Sequence, residues 1–153
     1  MEVEGRPSVI GFQGSRCPGV LIAEDDPFCS AMIEKAFGLQ GFATICVSDG
    51  QVAWDAILRH SQLDLVVLNW MLPTLDGHCI ARRLHTQDSR LAIVLMIGRE
   101  FMADALDVMD FRPHYLLPKP LDTMRINQQV SQIAQLAFCH TAARAQAWST
   151  RFI

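Results

Sequence analysis

The sequence lacks a long apolar run, which argues against a helix that crosses a membrane. Its most apolar stretches, Leu65–Leu68 and Leu91–Gly98, are far shorter than the roughly 20 residues that such a helix needs. The N-terminus carries Glu2, Glu4 and Arg6 with no apolar core behind them, so it does not have the pattern of a secretory signal. We therefore expect a cytoplasmic protein that does not enter a membrane.

Positive charge is also scarce, because 13 Lys and Arg stand against 16 Asp and Glu. Binding to nucleic-acid phosphates needs a basic surplus or a basic face, and the sequence contains no run of Lys or Arg. This balance argues against a general nucleic-acid binder. Since half of the residues are hydrophobic and the net charge is only −3, the composition predicts one folded globular domain with short additional ends.

The cysteines form no C-x-x-C pair, which argues against a zinc ribbon or a thioredoxin-like redox site. There are five of them, Cys17, Cys29, Cys46, Cys79 and Cys139. We expect most of them to be small buried apolar residues in a reducing compartment. In addition, His78 and His85 fall on one predicted helix with no third ligand in view, which predicts solvated surface histidines.

Five short apolar segments alternate with helical patterns from Gly19 onward. The segments are Val20–Ala23, Phe42–Val47, Leu63–Asn69, Leu91–Ile97 and His114–Leu117. Each is followed by a helical pattern. After the first segment, Asp26 and Pro27 have the order of a helix cap and a first helical residue. Further along, Arg99–Met109 is a predicted helix, and the last helix is predicted to begin near Thr123. This alternation predicts a doubly wound α/β fold, with a five-stranded parallel sheet covered by helices on both faces.

Polar residues follow several of the predicted strands. Glu24 and Asp25 come directly after the first strand, Asn69 ends the third, and Lys119 follows the fifth. Because the working site of such a sheet lies beyond the carboxyl ends of its strands, these groups are expected to converge. Acidic and amide groups beside a lysine suit a divalent-metal and phosphoryl site.

Three motifs carry a resemblance to a known family. They are Val20–Pro27 (VLIAEDDP), Val66–Pro73 with Leu75–Gly77 (VVLNWMLP and LDG), and Pro118–Pro120 (PKP). In these residues, and over about residues 19–136, the chain resembles the receiver domain of bacterial two-component response regulators. The resemblance implies a flavodoxin-like or CheY-like sheet with the strand order 2-1-3-4-5.

The resemblance leaves residues 1–18 as an N-terminal tail and residues 137–153 as a C-terminal helical extension. An apolar stripe continues from the receiver-like region into that extension; it comprises Ile126, Val130, Ile133, Ala137, Thr141, Ala145 and Trp148. A stripe that continues beyond its own domain predicts a helix that docks on a partner or on a second copy of the chain. A frayed or back-folded tail is the alternative.

Each site residue takes a role from the resemblance. Glu24 and Asp25 fall on the acidic pair that holds Mg²⁺ in receivers, and Met71 falls where a backbone carbonyl completes the metal shell. Lys119 falls on the lysine that neutralises the phosphoryl group. The two carboxylates are expected either to bind Mg²⁺ weakly or to pair with Lys119. Such an ion pair would be partly exposed and would contribute little to the stability of the fold.

Three other positions depart from the family pattern. Asn69 falls on the phosphoacceptor position, where the family has Asp, and an amide oxygen is a poor nucleophile toward phosphorus. Ile97 falls on the position of a Thr or Ser hydroxyl, and it is expected to make the site more apolar. Leu116 falls on the position often held by a switching aromatic ring. No catalytic residue set is therefore intact by this interpretation, and only a weak Mg²⁺ site at Glu24 and Asp25 remains.

These departures predict a stand-alone atypical receiver, or pseudo-receiver, that is not an enzyme, needs no cofactor and acts through protein–protein contacts without phosphorylation. The expected partners are a sensor histidine kinase, another response regulator or a second copy through the last helix. Direct DNA binding is not expected, since residues 137–153 are too few for a helix-turn-helix unit. The alternative is a phosphotransfer-competent single-domain regulator in which Asn69 was engineered in place of the phosphoacceptor. A small-ligand binder that uses the vacated site is a third interpretation.

Overall fold

Five parallel strands form one sheet in the computed structural model, which describes residues 17–151 and the side chains of residues 17–107 and 109–140. The strands are β1 (Gly19–Ala23), β2 (Ala43–Val47), β3 (Leu63–Asn69), β4 (Ala92–Gly98) and β5 (Tyr115–Lys119). Their order is β2-β1-β3-β4-β5, and all four neighbouring pairs are parallel. The predicted fold class and strand order are confirmed.

Helices cover both faces of the sheet and divide its hydrophobic core into two layers. They are α1 (Pro27–Leu39), α2 (Gly50–Arg59), α3 (Gly77–Thr86), α4 (Met102–Val108) and α5 (Ile126–Arg151). On one face, α2, α3 and α4 pack on side chains such as Leu21, Leu68 and Leu95. On the other face, α1 and α5 pack on alternate residues such as Ile22 and Met96. Because both faces are covered, β1, β3 and β4 are almost continuously apolar.

The first helix begins as its local sequence predicts. The side chain of Asp26 accepts hydrogen bonds from the backbone N–H groups of Phe28 and Cys29, and Pro27 occupies the first helical position. Gly41, just after the helix, has a φ of 87°, a conformation that favours glycine. The cap at Asp26 and the proline at position 27 direct the chain from the carboxyl end of β1 into α1. Glu24 and Asp25 are therefore left at the edge of the sheet.

Two predicted helix boundaries are wrong by a few residues. The predicted helix Arg99–Met109 divides into a 3-10 turn at Arg99–Phe101 and the α-helix α4. The last helix begins at Ile126 because the chain first forms a turn on Asp122, whose backbone carbonyl accepts hydrogen bonds from the N–H groups of Arg125 and Ile126. Short helical turns at helix ends are common and are not distinguished from α-helix by apolar spacing.

The last helix continues to Arg151. Its residues Ile126, Val130, Ile133 and Ala137 are buried against α1 and the sheet. The predicted stripe also includes Thr141, Ala145 and Trp148, whose side chains lie outside the described part of the chain. Residues 1–16 of the predicted tail lie outside it as well. Among the described residues, no helix is both long and apolar enough to span a membrane.

The prediction that most cysteines are buried is wrong. The exposed thiols are those of Cys17, Cys46 and Cys139. The half-buried thiols are those of Cys29 and Cys79. The reason is their place in the fold: Cys46 lies on the edge strand β2, and Cys29 and Cys79 lie in the first turns of α1 and α3. Such positions are accessible to water whatever the apolarity of the side chain.

Candidate functional site

Four polar side chains converge at the carboxyl edge of the sheet. Glu24 and Asp25 follow β1, Asn69 is the last residue of β3, and Lys119 is the last residue of β5. We call these four residues the carboxyl-edge cluster. Their convergence is a consequence of the parallel topology, since the ends of β1, β3, β4 and β5 all point to the same edge.

Glu24 is the centre of the carboxyl-edge cluster. Its side chain is fully buried, and its Oε1 accepts hydrogen bonds from the backbone N–H of Asp26 at 3.0 Å and from Asn69 Nδ2 at 3.3 Å. Its Oε2 lies 2.7 Å from Lys119 Nζ. Burial raises the pKa of Glu24 above its ordinary value, although the contact with Lys119 acts in the opposite direction. Lys119 is therefore the main group that opposes this rise in the pKa of Glu24.

Asn69 joins the two acidic residues through its side-chain amide. Its Nδ2 donates to Asp25 Oδ1 at 3.2 Å as well as to Glu24 Oε1. An aspartate in this place would add a third negative charge close to two carboxylates. The amide instead supplies an N–H₂ group whose hydrogen bonds both carboxylates can accept. Asn69 thus satisfies the acidic pair without a metal ion.

The ion pair of Lys119 differs from the one that the sequence suggested. We expected a partly exposed pair with Glu24 or Asp25 and little energetic value. The partner is Glu24, whose side chain is 0% exposed, while that of Lys119 is 22% exposed. The carboxylate of Glu24 contacts Asn69 of β3 and Lys119 of β5, and no local pattern around Glu24 indicates those contacts with distant segments.

Ile97 and Leu116 do not make the site apolar in the way we expected. Ile97 is fully buried in the core layer below α4, and Leu116 packs against the same layer. Beside the carboxyl-edge cluster lies an open cleft of about 530 Å³. Its lining includes apolar side chains from the loops, namely Trp70, Met71, Phe101 and Pro120. The apolar surface at this edge therefore comes from loop residues and not from the strand position of Ile97.

The contacts of Glu24 and Asp25 bear on the weak Mg²⁺ site that the sequence predicts at this edge. Mg²⁺ binds to oxygen ligands in a near-ideal octahedral shell, usually with carboxylates that are free to coordinate it. Here Glu24 is buried and already neutralised by Lys119, and the amide N–H₂ group of Asn69 occupies one oxygen of each carboxylate. A cation would have to break these contacts before it could bind.

The interpretation of His78 as a solvated surface residue is also wrong. Its ring stacks on Trp70 with 4.4 Å between the ring centroids, and its Nε2 lies 3.5 Å from Asp76 Oδ2. Cys79 Sγ lies 3.7 Å from His78 Nδ1. The residues D-x-H-C from Asp76 to Cys79 are the sequence signal for this group, since they place a carboxylate, an imidazole and a thiol within four consecutive residues.

Comparison with known proteins identifies the family. The sequence profile described as "Response regulator receiver domain" matches residues 20–131. The chain belongs to the receiver domain family. Transcriptional regulatory protein TctD from Salmonella typhimurium (strain LT2) is 31% identical to this receiver domain over 111 residues, which are 72% of the chain and 49% of that protein. Among the curated relatives that it matches, the chain spans between a quarter and about half of their length.

Solved structures place the fold in the same family. The signal receiver domain of a putative LuxO repressor protein from Vibrio parahaemolyticus superposes with a TM-score of 0.71 at 19% identity, over 84% of this chain and 98% of that one. A receiver domain protein from Clostridium thermocellum gives 0.66 at 17% identity, over 86% and 98%. At these identities the likeness is one of fold. The family match, and not this likeness of fold, makes the chain a receiver domain of two-component signalling.

Proposed function

We propose that this receiver domain acts as a protein–protein interaction module whose output does not depend on phosphorylation. The observation that carries the proposal is the side chain of Asn69, whose amide donates to Glu24 and Asp25. A receiver is phosphorylated when a carboxylate oxygen attacks phosphorus and forms an acyl phosphate. An amide oxygen is a poor nucleophile for that step, and here the amide is also held by two hydrogen bonds.

The state of Lys119 supports the same conclusion. In the resemblance, this lysine neutralises the phosphoryl group, but here its Nζ is in contact with buried Glu24. Moving Lys119 to another anion would leave the Glu24 carboxylate buried without its counter-ion, which is costly. The contacts of the carboxyl-edge cluster therefore stabilise one arrangement in preference to a pair of exchangeable states.

The positions of Ile97 and Leu116 complete the argument. Ile97 is a buried hydrocarbon where the resemblance expects a hydroxyl donor to the phosphoryl group. Leu116 packs in the core layer where the resemblance often has a ring that changes position. Three substitutions along one relay agree with a single function, which is a receiver that keeps its surface and lacks its phosphoryl chemistry.

Receiver domains interact with histidine kinases, and we propose that a kinase, another response regulator or a second copy of this chain is the partner. The resemblance points to the face formed by α4, β5 and α5. Two large apolar side chains project from the helices of this face, because Leu106 of α4 is 66% exposed and Leu136 of α5 is 45% exposed. Each helix of this face therefore contributes apolar surface that a partner could cover.

The decisive experiment is intact-mass measurement after incubation with a small acyl phosphate donor and Mg²⁺. We expect no added phosphoryl group on the wild-type protein or on the Asn69→Asp variant, because Ile97 and the pairing of Lys119 also oppose the reaction. An Asn69→Ala variant is the control for an acceptor elsewhere in the chain. Circular dichroism establishes that all three proteins are folded.

Two outcomes would contradict the proposal. Phosphorylation of Asn69→Asp but not of Asn69→Ala would mean that residue 69 alone blocks the reaction, which favours a phosphotransfer-competent regulator silenced at one position. Phosphorylation of the wild-type chain would mean that another residue accepts the phosphoryl group, and peptide mapping would locate it.

A second prediction concerns Mg²⁺ itself. We expect Asn69→Asp to bind Mg²⁺ at least about tenfold more tightly than the wild-type protein, because a third carboxylate replaces an amide N–H₂ group. Isothermal titration calorimetry measures the two affinities directly. The matched control adds Asp25→Asn to the variant, which returns the number of carboxylates to two and should remove the gain. Equal affinity in the wild-type and Asn69→Asp proteins would show that charge at residue 69 does not govern the site.

A further inference from the structure

A second group of potential ligands lies where the loop after β3 meets the first turn of α3, apart from the carboxyl-edge cluster. Asp76, His78 and Cys79 each offer one donor atom, and these atoms all lie within 4.8 Å of one another. We call these three residues the loop triad. His78 Nε2 is 3.5 Å from Asp76 Oδ2, and Cys79 Sγ is 3.7 Å from His78 Nδ1. Each side chain is half-buried, so the group is accessible to an ion and partly protected from water.

We propose that the loop triad is a binding site for a zinc-class divalent ion. Its donors are a carboxylate oxygen, an imidazole nitrogen and a thiol sulphur, which are the ligand types of Zn²⁺, whereas Mg²⁺ and Ca²⁺ select oxygen. Zn–O and Zn–N bonds of about 2.0–2.2 Å and Zn–S bonds of about 2.3 Å require ligands that are about 3.3–3.7 Å apart in a tetrahedron. The separation of 3.5 Å between Asp76 Oδ2 and His78 Nε2 falls in that range. Cys79 Sγ lies nearest the other ring nitrogen, Nδ1, and one donor atom from each of the three residues lies within 4.8 Å of the other two, so a change in side-chain torsion brings all three to one ion.

Two contacts hold Asp76 and His78 of the triad in place before any ion binds. Asp76 occupies the position before α3, yet its side chain does not cap the helix; its Oδ1 accepts a hydrogen bond from the backbone N–H of Leu72 instead. Its Oδ2 is thereby directed toward His78. The ring of His78 is in turn fixed by stacking on Trp70, which is only 6% exposed. A site whose side chains are already ordered loses less entropy when it binds a ligand.

The position of the loop triad gives its occupancy a structural consequence. The same loop carries Trp70 and Leu72, and the backbone N–H of His78 donates to the carbonyl of Trp70. A bound ion would connect the first turn of α3 to this loop at a second point. We therefore expect slower hydrogen exchange of the Leu72 N–H when the site is filled. This inference is independent of the proposed function, since it concerns residues outside the carboxyl-edge cluster.

Cobalt is the probe that tests the site, because Co²⁺ substitutes for Zn²⁺ and gives an absorption band when a thiolate binds it. We expect the reduced wild-type chain to bind one equivalent of Co²⁺ with such a band, and Zn²⁺ to remove it by displacement. Cys79→Ser should abolish the band, and His78→Gln should weaken binding at least about tenfold. Asp76→Asn is a third, nearly isosteric test of the same set of ligands.

Matched variants distinguish the loop triad from the other thiols and imidazoles. Cys29→Ser removes another half-buried thiol from the first turn of a helix, and His85→Gln removes the second imidazole of α3. Both should bind Co²⁺ as the wild type does. The proposal is overturned if the wild type gives no thiolate band, if the band survives in Cys79→Ser, or if Cys29→Ser loses it equally. Thermal unfolding of each variant without metal establishes that lost binding is not lost folding.

Discussion

The Lys119→Met variant is expected to unfold with a free energy about 3 kcal/mol lower than that of the wild-type protein at neutral pH. The substitution keeps most of the side-chain volume but removes the ammonium group that lies 2.7 Å from Glu24 Oε2. Glu24 is fully buried, so its carboxylate would remain in the interior without a counter-ion. Removing one partner of a buried ion pair costs about 3–5 kcal/mol, and we take the lower end because Lys119 is partly exposed.

The pH dependence of this loss is the signature of the ion pair. Burial already raises the pKa of Glu24 above its ordinary value of 4.5, and loss of Lys119 removes a contact that lowers it. A carboxyl whose pKa is higher in the folded than in the unfolded state favours folding when it is protonated, and this contribution is lost as the pH rises from the unfolded pKa through the folded one. The deficit of Lys119→Met should therefore shrink on acidification toward pH 4.5 and grow above it.

Denaturant unfolding at several pH values measures this effect. The Glu24→Gln/Lys119→Met double variant is the control, because it replaces the ion pair by neutral side chains of similar size and should recover most of the lost stability at neutral pH. A pH-independent deficit in Lys119→Met, or a double variant no more stable than it, would mean that the loss is one of packing and not of charge.

A second large effect is expected from Gly77→Ala at the first residue of α3. A Cβ built on Gly77 would lie 1.8 Å from the backbone carbonyl oxygen of Asn69, and a backbone atom cannot move aside as a flexible side chain can. The start of α3 must therefore shift away from the end of β3. We expect a loss of about 3 kcal/mol or more, at the upper limit of overpacking substitutions.

Gly38→Ala is the matched control, since it makes the same chemical change within a helix. A Cβ at Gly38 meets no atom within 4 Å, and the residue lies exposed near the end of α1. Because alanine has the higher helix propensity, this variant should gain about 0.5–1 kcal/mol. Urea unfolding of both variants compares them directly. If Gly77→Ala were as stable as the wild type, close contact between α3 and the end of β3 would not be needed to position Asn69.

The strands and most helix starts of this receiver domain were predictable from short segments. Uninterrupted apolar residues in β3 predicted a strand buried on both faces, and Asp26 followed by Pro27 predicted the start of α1. Such signals act within a few residues, so they need no knowledge of the rest of the chain. Even so, the break between the 3-10 turn at Arg99–Phe101 and α4 was missed, because both kinds of helix accept the same apolar spacing.

The candidate site was predictable in composition but not in its contacts. Parallel strands brought Glu24, Asn69 and Lys119 to one edge as expected, since that follows from topology. The full burial of Glu24, its choice as the partner of Lys119 and the two hydrogen bonds of the Asn69 amide were not evident. They depend on contacts of one carboxylate with side chains from β3 and β5, which are distant in the chain, so no local pattern records them.

By itself, the sequence determined the alternation of strands and helices, the edge of the sheet where polar residues gather, and the presence of an amide side chain at position 69. Tertiary structure alone decided that the Glu24–Lys119 pair is buried, that Ile97 lies in the core and that Asp76, His78 and Cys79 share one small volume. The physical reason is range: hydrophobic periodicity and helix caps act between near neighbours in the chain, whereas burial and ion pairing depend on the distances between segments that only folding brings together.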